Sequence, residues 1–322
     1  MHAVAQANTN IALVKYWGKR DRAQNLPAVP SLSLTLSGLH TRTQVRFETY
    51  PGEDVLVLNG HLDRGPARAR VAQFLDLVRA QAGLRGRAEV RSANSFPTAS
   101  GLASSASAFA ALAAAATRAA GLTLPAPALS QLARRGSGSA ARSIFGGFVE
   151  LAESGAAQPL LPPEAWDVRM VIALATEAPK SVPSTVGMDR SAQSSPYFQA
   201  WVESHAEDMA AARQALTARD LPALGEVAER SCLKMHAAAM TAEPPVLYWS
   251  GVTVELLHRV RRLRDRGISA YFTIDAGPHV KVLCPPRDVE TVEAALGEVP
   301  GVLRTYVAAP GAGVEIMDAG SP

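Results

Sequence analysis

Cysteine is scarce: Cys232 and Cys284 are the two in a chain of 322 residues. They lie far apart and fit no zinc or redox spacing, which excludes a disulfide scaffold and predicts two inert thiols in a reducing compartment. Long apolar runs are missing too. The longest, within 106–116, falls short of the ~20 residues a membrane span needs, and "MHAVAQANTNIALVKYW" has no charged region followed by an apolar one. A soluble, cytoplasmic protein with no membrane partner is expected. Neither sign of charge dominates, since 32 Lys and Arg against 29 Asp and Glu leave a net +3. The densest basic cluster, "HRVRRLRDR" (258–266), is interrupted by Val and Leu at helical spacing. It reads as a solvated helix face, and no nucleic-acid partner is expected. No segment repeats at a fixed period.

With 48% hydrophobic residues the chain has material for a real core. "SLSLTLSG" alternates as a half-buried strand does, with "TQVRFETY" and "DVLVLNG" as its neighbours. "PARARVAQFLDLVRAQAG" is an amphipathic helix with Val71, Phe74, Leu75 and Val78 on one stripe and Gly83 as its stop. The strand "GRAEVRSAN" leads into "SFPTASGLASSASAFAALAAA" (95–115), followed by the helix around "LSQLARR", the loop "GSGSAAR" and the strand "GGFVEL". "DVRMVIALAT" is a buried strand, and "EAPKSVPSTVGM" then breaks the pattern with two prolines and a glycine. This places a domain boundary near residue 175, giving units 1–175 and 176–322. The second is helix-rich up to "VRRLRDRG", then reads as strand, "AGP" turn, strand, helix and strand. From Gly311 the tail is Gly-rich and expected to be loose, apart from "VEIM" as an edge strand. Together these patterns predict a two-domain α+β architecture.

The stretch at 95–115 places small and hydroxyl residues before a strong helix. A helix start leaves several N–H groups unpaired and carries about half a positive charge, so Ser100, Gly101, Ser104 and Ser105 suit an anion. Close packing of two elements would need the same small residues. Other nucleotide and hydrolase signatures are absent: there is no G-x-x-x-x-G-K-[ST], no H-E-x-x-H and no G-x-S-x-G. "GSGSAA" (136–141) fits G-x-G-x-x-[GA], but a helix precedes it where a dinucleotide fingerprint needs a strand.

A proline, a short spacer and "GLASSA" opening a helix resembles the phosphate loop of the GHMP kinase superfamily. Five stretches in order, "NIALVKYWGKRD", "SFPTASGLASSASAFAAL", "RRGSGSAARSIFGGF", "STVGM" and "YFTIDAGPHVKVL", resemble the diphosphomevalonate decarboxylase family within it. The resemblance implies a GHMP kinase fold. Its N-terminal part is like ribosomal protein S5 domain 2, its C-terminal part is ferredoxin-like, and one deep cleft lies between them. It implies ATP-dependent decarboxylation of mevalonate 5-diphosphate, with ATP as co-substrate, Mg2+ as cofactor and a homodimer as the working form. Acceptance of mevalonate 5-phosphate, or phosphorylation of the 3-hydroxyl alone, is the alternative.

Carried over residue by residue, the resemblance makes Asp275 and Arg142 catalytic. Asp275 would orient or accept the 3-hydroxyl proton, and Arg142 would clamp the carboxylate, a task suited to a planar guanidinium. Tyr16, Lys19, Arg70, Ser137, Ser139 and Ser184 become substrate contacts; Ser100, Gly101, Ser104, Ser105 and Lys180 become nucleotide contacts. Lys15 reads as a nearby structural or charge-balancing residue and Trp17 as core. No carboxylate ligand for magnesium is legible, and His236 and His279 have no partner at metal spacing, so both read as structural. Two positions depart from the family pattern: Pro30, which is expected to reshape a loop near the substrate, and Ala141, a small-for-small change.

Overall fold

The structure is a computed structural model and describes residues 2–49, 52–96, 104–178 and 180–318. In chain order its first part runs β1 (His2–Val14), β2 (Lys19–Asp21), β3 (Leu26–Pro27), β4 (Ser31–Phe47), β5 (Val55–Leu58), β6 (His61–Asp63), α1 (Pro66–Ala82), β7 (Ala88–Asn94), α2 (Ser104–Ala119), α3 (Ala126–Gly136), α4 (Ala140–Ser143), β8 (Phe148–Leu151) and β9 (Ala157–Leu161). The second part runs β10 (Arg169–Leu174), α5 (Ser184–Ser194), α6 (Phe198–Glu203), α7 (His205–Ala218), α8 (Leu221–Met240), α9 (Gly251–Asp265), β11 (Tyr271–Ile274), β12 (Val280–Cys284), α10 (Val289–Gly297) and β13 (Arg304–Ala308). A final strand, β14 (Glu315–Met317), returns to the first sheet and pairs antiparallel with β1.

The elements stack in layers. The first sheet has the order β14-β1-β4-β7-β5-β6, with β8 and β9 branching from β4. One face is covered by α1 and the alanine-rich α2, whose small side chains let the helix sit close against Ala5, Ala7 and Val45. The other face meets α7 and α8, where Ile11, Leu13, Leu32 and Leu34 pack with Met209, Leu216, Leu224 and Ala228. The far side of those helices meets Met170, Ile172 and Leu283 of a second sheet. Each such fully buried side chain contributes about 1.5–3 kcal/mol of transfer free energy. The second sheet is antiparallel in the order β11-β12-β10-β13, and α9 and α10 cover its outer face. Strand, crossover, hairpin, helix and strand in this order form the split-βαβ, ferredoxin-like arrangement.

Several local expectations are corrected. β4 is not half-buried at its start: Ser31, Ser33 and Thr35 are as buried as Leu32, Leu34 and Leu36, because α7 and α8 cover one face and Arg142 reaches the other. The change of sheet precedes residue 175, since β10 already pairs with β12 and β13. "STVGM" is no loop: Ser184 opens α5 directly after Pro183. Within the helix-rich stretch, α6 and α7 are separated at Ser204, whose hydroxyl bonds back to Ala200 O at 2.8 Å. The tail is not loose at 311–314. Gly311 N donates to Thr35 O at 2.8 Å, and a Cβ on Gly313 would lie 2.3 Å from Ile144 O. These glycines allow close backbone approach rather than mobility.

Candidate active site

Between the two parts lies a cavity of about 350 Å³. Every predicted site residue that the structure describes lines it: Asp275, Arg142, Tyr16, Lys19, Arg70, Ser137, Ser139, Ser184, Ser104, Ser105 and Lys180. Ser100 and Gly101 lie outside the described residues. Pro30 is not among the lining residues. Its carbonyl accepts a 2.6 Å hydrogen bond from His205 Nε2. Ala141 is buried in the small cluster with Val149 and Leu151, where its size fits.

Arg142 projects from the one-turn helix α4 and is only 2% exposed. Its Nε donates to Ser33 Oγ at 2.9 Å, Nη1 to Ser31 Oγ at 2.7 Å and Nη2 to Asn10 Oδ1 at 3.2 Å. All three partners are neutral, so the charge itself is met by no contacting acid among the described residues. Burial pushes its pKa down to about 10, with Tyr16 and Asp275 opposing, which still leaves a full cation near neutral pH. Asn10 completes the frame by donating to Ser139 O and Ser143 Oγ. A buried guanidinium with neutral partners and cavity access is suited to an incoming carboxylate.

Asp275 follows β11 and begins the tight turn in which Gly277 N donates to its carbonyl. Lys15 Nζ donates to Oδ1 at 2.7 Å, and Lys281 Nζ lies 3.3 Å from Oδ2. Burial alone would raise the carboxyl pKa. The two ammonium groups more than offset this and hold it well below the usual carboxylate range. Helix α8 supports both ends of the pair: Ser231 Oγ accepts from Lys15 N, Cys232 Sγ accepts from Ile274 N, and His236 Nε2 donates to Ile274 O. His236 is thus a backbone anchor, and His279 Nδ1 accepts from Ala175 N in the same way.

Tyr16 presents a buried hydroxyl that makes no hydrogen bond with any described residue. Burial pushes its pKa up to about 12, so it is a neutral donor left for a ligand. Its ring lies 5.9 Å below the Arg142 guanidinium carbon. The loop after α3 must pass this ring, and a Cβ on Gly138 would stand 2.2 Å from Tyr16 Oη. Gly18 has φ +89, a left-handed turn that carries the chain from Trp17 to Lys19. Lys19 Nζ bonds Asn25 Oδ1 at 2.7 Å and Thr185 Oγ1 at 3.4 Å, and burial lowers its pKa. Arg70 lies over the Phe109 ring and donates to Gly136 O, while Lys180 donates to Ser184 Oγ at 2.7 Å. Trp17 is buried core and also part of the apolar wall, with Met188 and Met235.

Lys15, Lys19, Arg70, Arg142 and Lys180 stand against Asp275, the sole acid in the lining among the described residues. Such a cavity suits a polyanion. Sequence reasoning missed Asn10, Ser31, Ser33 and Lys281. A signal existed for the serines, since the polar face of "SLSLTL" points to Arg142, and for Lys281, the lone charge in β12.

The cavity also bears on metal binding. Among the described residues no three His, Cys, Asp or Glu side chains converge as metal ligands. A magnesium ion fits here only as one held mainly by phosphate oxygens and water, with the Ser104 and Ser105 hydroxyls as oxygen donors on the wall.

Comparison with known proteins places these features in context. Residues 7–158 match the model for the diphosphomevalonate decarboxylase-like N-terminal domain, and residues 170–305 match that for the mevalonate 5-diphosphate decarboxylase C-terminal domain. The diphosphomevalonate decarboxylase of Candida albicans is 33% identical over 97% of this chain and 93% of its own. The phosphomevalonate decarboxylase of Haloferax volcanii is 34% identical over 99% and 98%. A solved complex of MDDEF with MVAPP, AMPPCP and magnesium superposes with a TM-score of 0.93 at 41% identity, covering 99% of each chain.

Proposed function

The chain belongs to the diphosphomevalonate decarboxylase family, and from that premise we propose how its cavity carries the reaction. The protein is an ATP-dependent decarboxylase that converts mevalonate 5-diphosphate to isopentenyl diphosphate, ADP, phosphate and carbon dioxide in the mevalonate pathway. The observation that carries the assignment of roles is that, among the described residues, one acid, five cations and the α2 serines Ser104 and Ser105 line a single cavity.

Tyr16, Lys19, Arg70 and Ser184 hold the diphosphate of the substrate. Ser104, Ser105 and Lys180, with Ser100 and Gly101, hold the phosphates of ATP. Bound magnesium would neutralise phosphate charge during transfer. Arg142, Ser137 and Ser139 hold the substrate carboxylate, and Asp275 accepts the hydrogen bond of the 3-hydroxyl.

The substrate oxygen attacks the γ-phosphorus, and the bond from that phosphorus to the ADP oxygen breaks. A carboxylate held below its usual range is a weak base, so Asp275 orients the hydroxyl and takes its proton only as the new O–P bond forms. This late transfer suits a loose phosphoryl transition state. The C3–O bond then breaks with its electron pair leaving on phosphate. The departing phosphate takes the proton back from Asp275, and the restored carboxylate stabilises the positive charge at C3. The electron pair of the C1–C2 bond forms the C2=C3 double bond and releases carbon dioxide.

A second reading, mevalonate 5-phosphate as substrate, is favoured by the near-complete match to the Haloferax volcanii relative. The cation-rich lining and the MVAPP complex support the diphosphate. Incubation with ATP, magnesium and either compound decides between them. Carbon dioxide and isopentenyl diphosphate should form from the diphosphate at the higher kcat/KM. Preferred turnover of the monophosphate, or phosphorylated product without carbon dioxide, would overturn the assignment.

The reading extends to a homodimer working in the cytoplasm, on the family resemblance. The two free, buried cysteines are compatible with a reducing compartment. No described helix is long and apolar enough to cross a membrane.

A further inference from the structure

β12 carries one charged residue, Lys281, and it is fully buried. In the sheet register Lys281 stands between Thr273 of β11 and Ile172 of β10, on the face that Leu283 and Tyr271 share. A leucine or methionine would fill this row without the desolvation cost of a buried ammonium group. Lys281 meets Asp275 instead, at 3.3 Å from Oδ2. Oδ2 is buried and accepts no hydrogen bond from a described residue, so Lys281 holds it as an ion pair, while Oδ1, bonded to Lys15, is the oxygen turned to the cavity.

We propose that Lys281 is a positioning residue for the reaction: it grips the rear oxygen of Asp275 while Lys15 bonds the front one, fixing the plane of the carboxylate toward the substrate hydroxyl. A single contact at Oδ1 would leave the group free to turn about its Cβ–Cγ bond; two contacts from opposite sides remove that rotation. The groups facing Asp275 from every packed element are Lys15 of the β1 end, Lys281 of β12, Cys232 and His236 of α8, and Arg142 and Lys180 across the cavity. Burial keeps His236 neutral and the Cys232 thiol protonated, so neither competes for the carboxylate. Lys281 also keeps Asp275 ionised in mild acid, which a purely space-filling role would not do.

The proposal rests on the decarboxylase reading, which wild-type turnover of mevalonate 5-diphosphate tests separately. The experiment replaces Lys281 by Met and by Arg and follows kcat and KM from pH 5 to 8. In Lys281→Met, kcat should fall about 10²-fold, as for a reacting group displaced by about an ångström, while KM for both substrates stays within about threefold. An acidic limb absent from wild type should enter the kcat profile within that pH range, because a buried carboxyl with less cationic support titrates at higher pH. Lys281→Arg should recover part of kcat and lose the acidic limb. A profile parallel to wild type in Lys281→Met, or KM rising as far as kcat falls, would overturn the proposal. Should the variants fail to fold, carbon-13 carboxyl titration of the wild-type protein decides, with the Asp275 resonance assigned by its loss in Asp275→Asn. The resonance is expected to stay constant from pH 7 to about 4, where an ordinary Asp is already about half protonated. Titration of Asp275 within that window would overturn the proposal without reference to activity.

Discussion

At the scale of single residues, Arg142 and Asp275 solve opposite electrostatic problems. Arg142 is a cation set among Ser31, Ser33 and Asn10. Asp275 is an anion held between two lysines. The first is therefore open to a negative ligand, while the second keeps its charge without being a strong base. Lysine cannot reproduce the three-way fork, so Arg142→Lys should lower kcat/KM about 10²-fold or more, the usual cost of a lost preorganised donor. Steady-state kinetics, with circular dichroism to confirm folding, check this. Asp275→Ala should lower kcat roughly 10²–10⁴-fold, the range for a lost acid–base group, with substrate affinity within about tenfold. Isothermal titration with mevalonate 5-diphosphate separates the two effects, and retained turnover would remove Asp275 from the mechanism. The sequence made these two residues legible because each sits in a short, unusual motif. Lys281 left only a weak signal, because a lone lysine in "HVKVLC" looks like a snorkelling surface residue until the register shows both faces of β12 covered.

At the scale of elements, the loop between α3 and α4 shows how backbone spacing controls a side chain. Gly138 passes so close to Tyr16 that any β-carbon must displace the phenol. Gly138→Ala should therefore raise KM for the phosphorylated substrate about tenfold, a cost of ~1.4 kcal/mol in binding, with a smaller effect on kcat. Unchanged KM would separate Tyr16 from substrate binding. Strong periodicity made α1, α8 and β7 readable from the sequence. The exceptions have local causes: Ser204 competes for a helix carbonyl, Pro183 starts a helix where it reads as a breaker, and the glycines at 311–313 serve backbone contact. Of these, only the glycines depend on neighbours distant in sequence, Thr35 and Ile144, which periodicity does not encode. The basic run on α9 is similar. Arg259, Arg262 and Arg264 have ion-pair partners in Glu298, Glu255 and Glu229, and two of these acids lie outside the helix.

At the scale of the whole molecule, three buried histidines link folding to acid. His205, His236 and His279 have pKa values pushed down to about 4, 3 and 3, chiefly by burial. Once unfolded, each titrates near ~6.5, so below that pH the unfolded chain binds more protons than the folded one. Stability is therefore lost as pH falls from ~6.5, by up to about 1.4 kcal/mol per pH unit for each histidine, until the folded-state values are passed. Thermal unfolding followed from pH 7.5 to 4.5 should show Tm falling below pH 6.5. His205→Gln should flatten that slope. An unchanged slope would exclude His205 from the acid response.

The return of β14 to β1 has a consequence for how the chain is made. Val4 pairs with Met317, and Thr35 with Gly311, so the first sheet is finished by residues translated some three hundred positions after it begins. Domains emerging from the ribosome generally fold as units, N-terminal first. Here the N-terminal layer can assemble early, yet β1 keeps an unpaired edge until residue 317 has cleared the exit tunnel. Completion of the first sheet thereby follows synthesis of the second, whose Asp275 forms the other wall of the cavity.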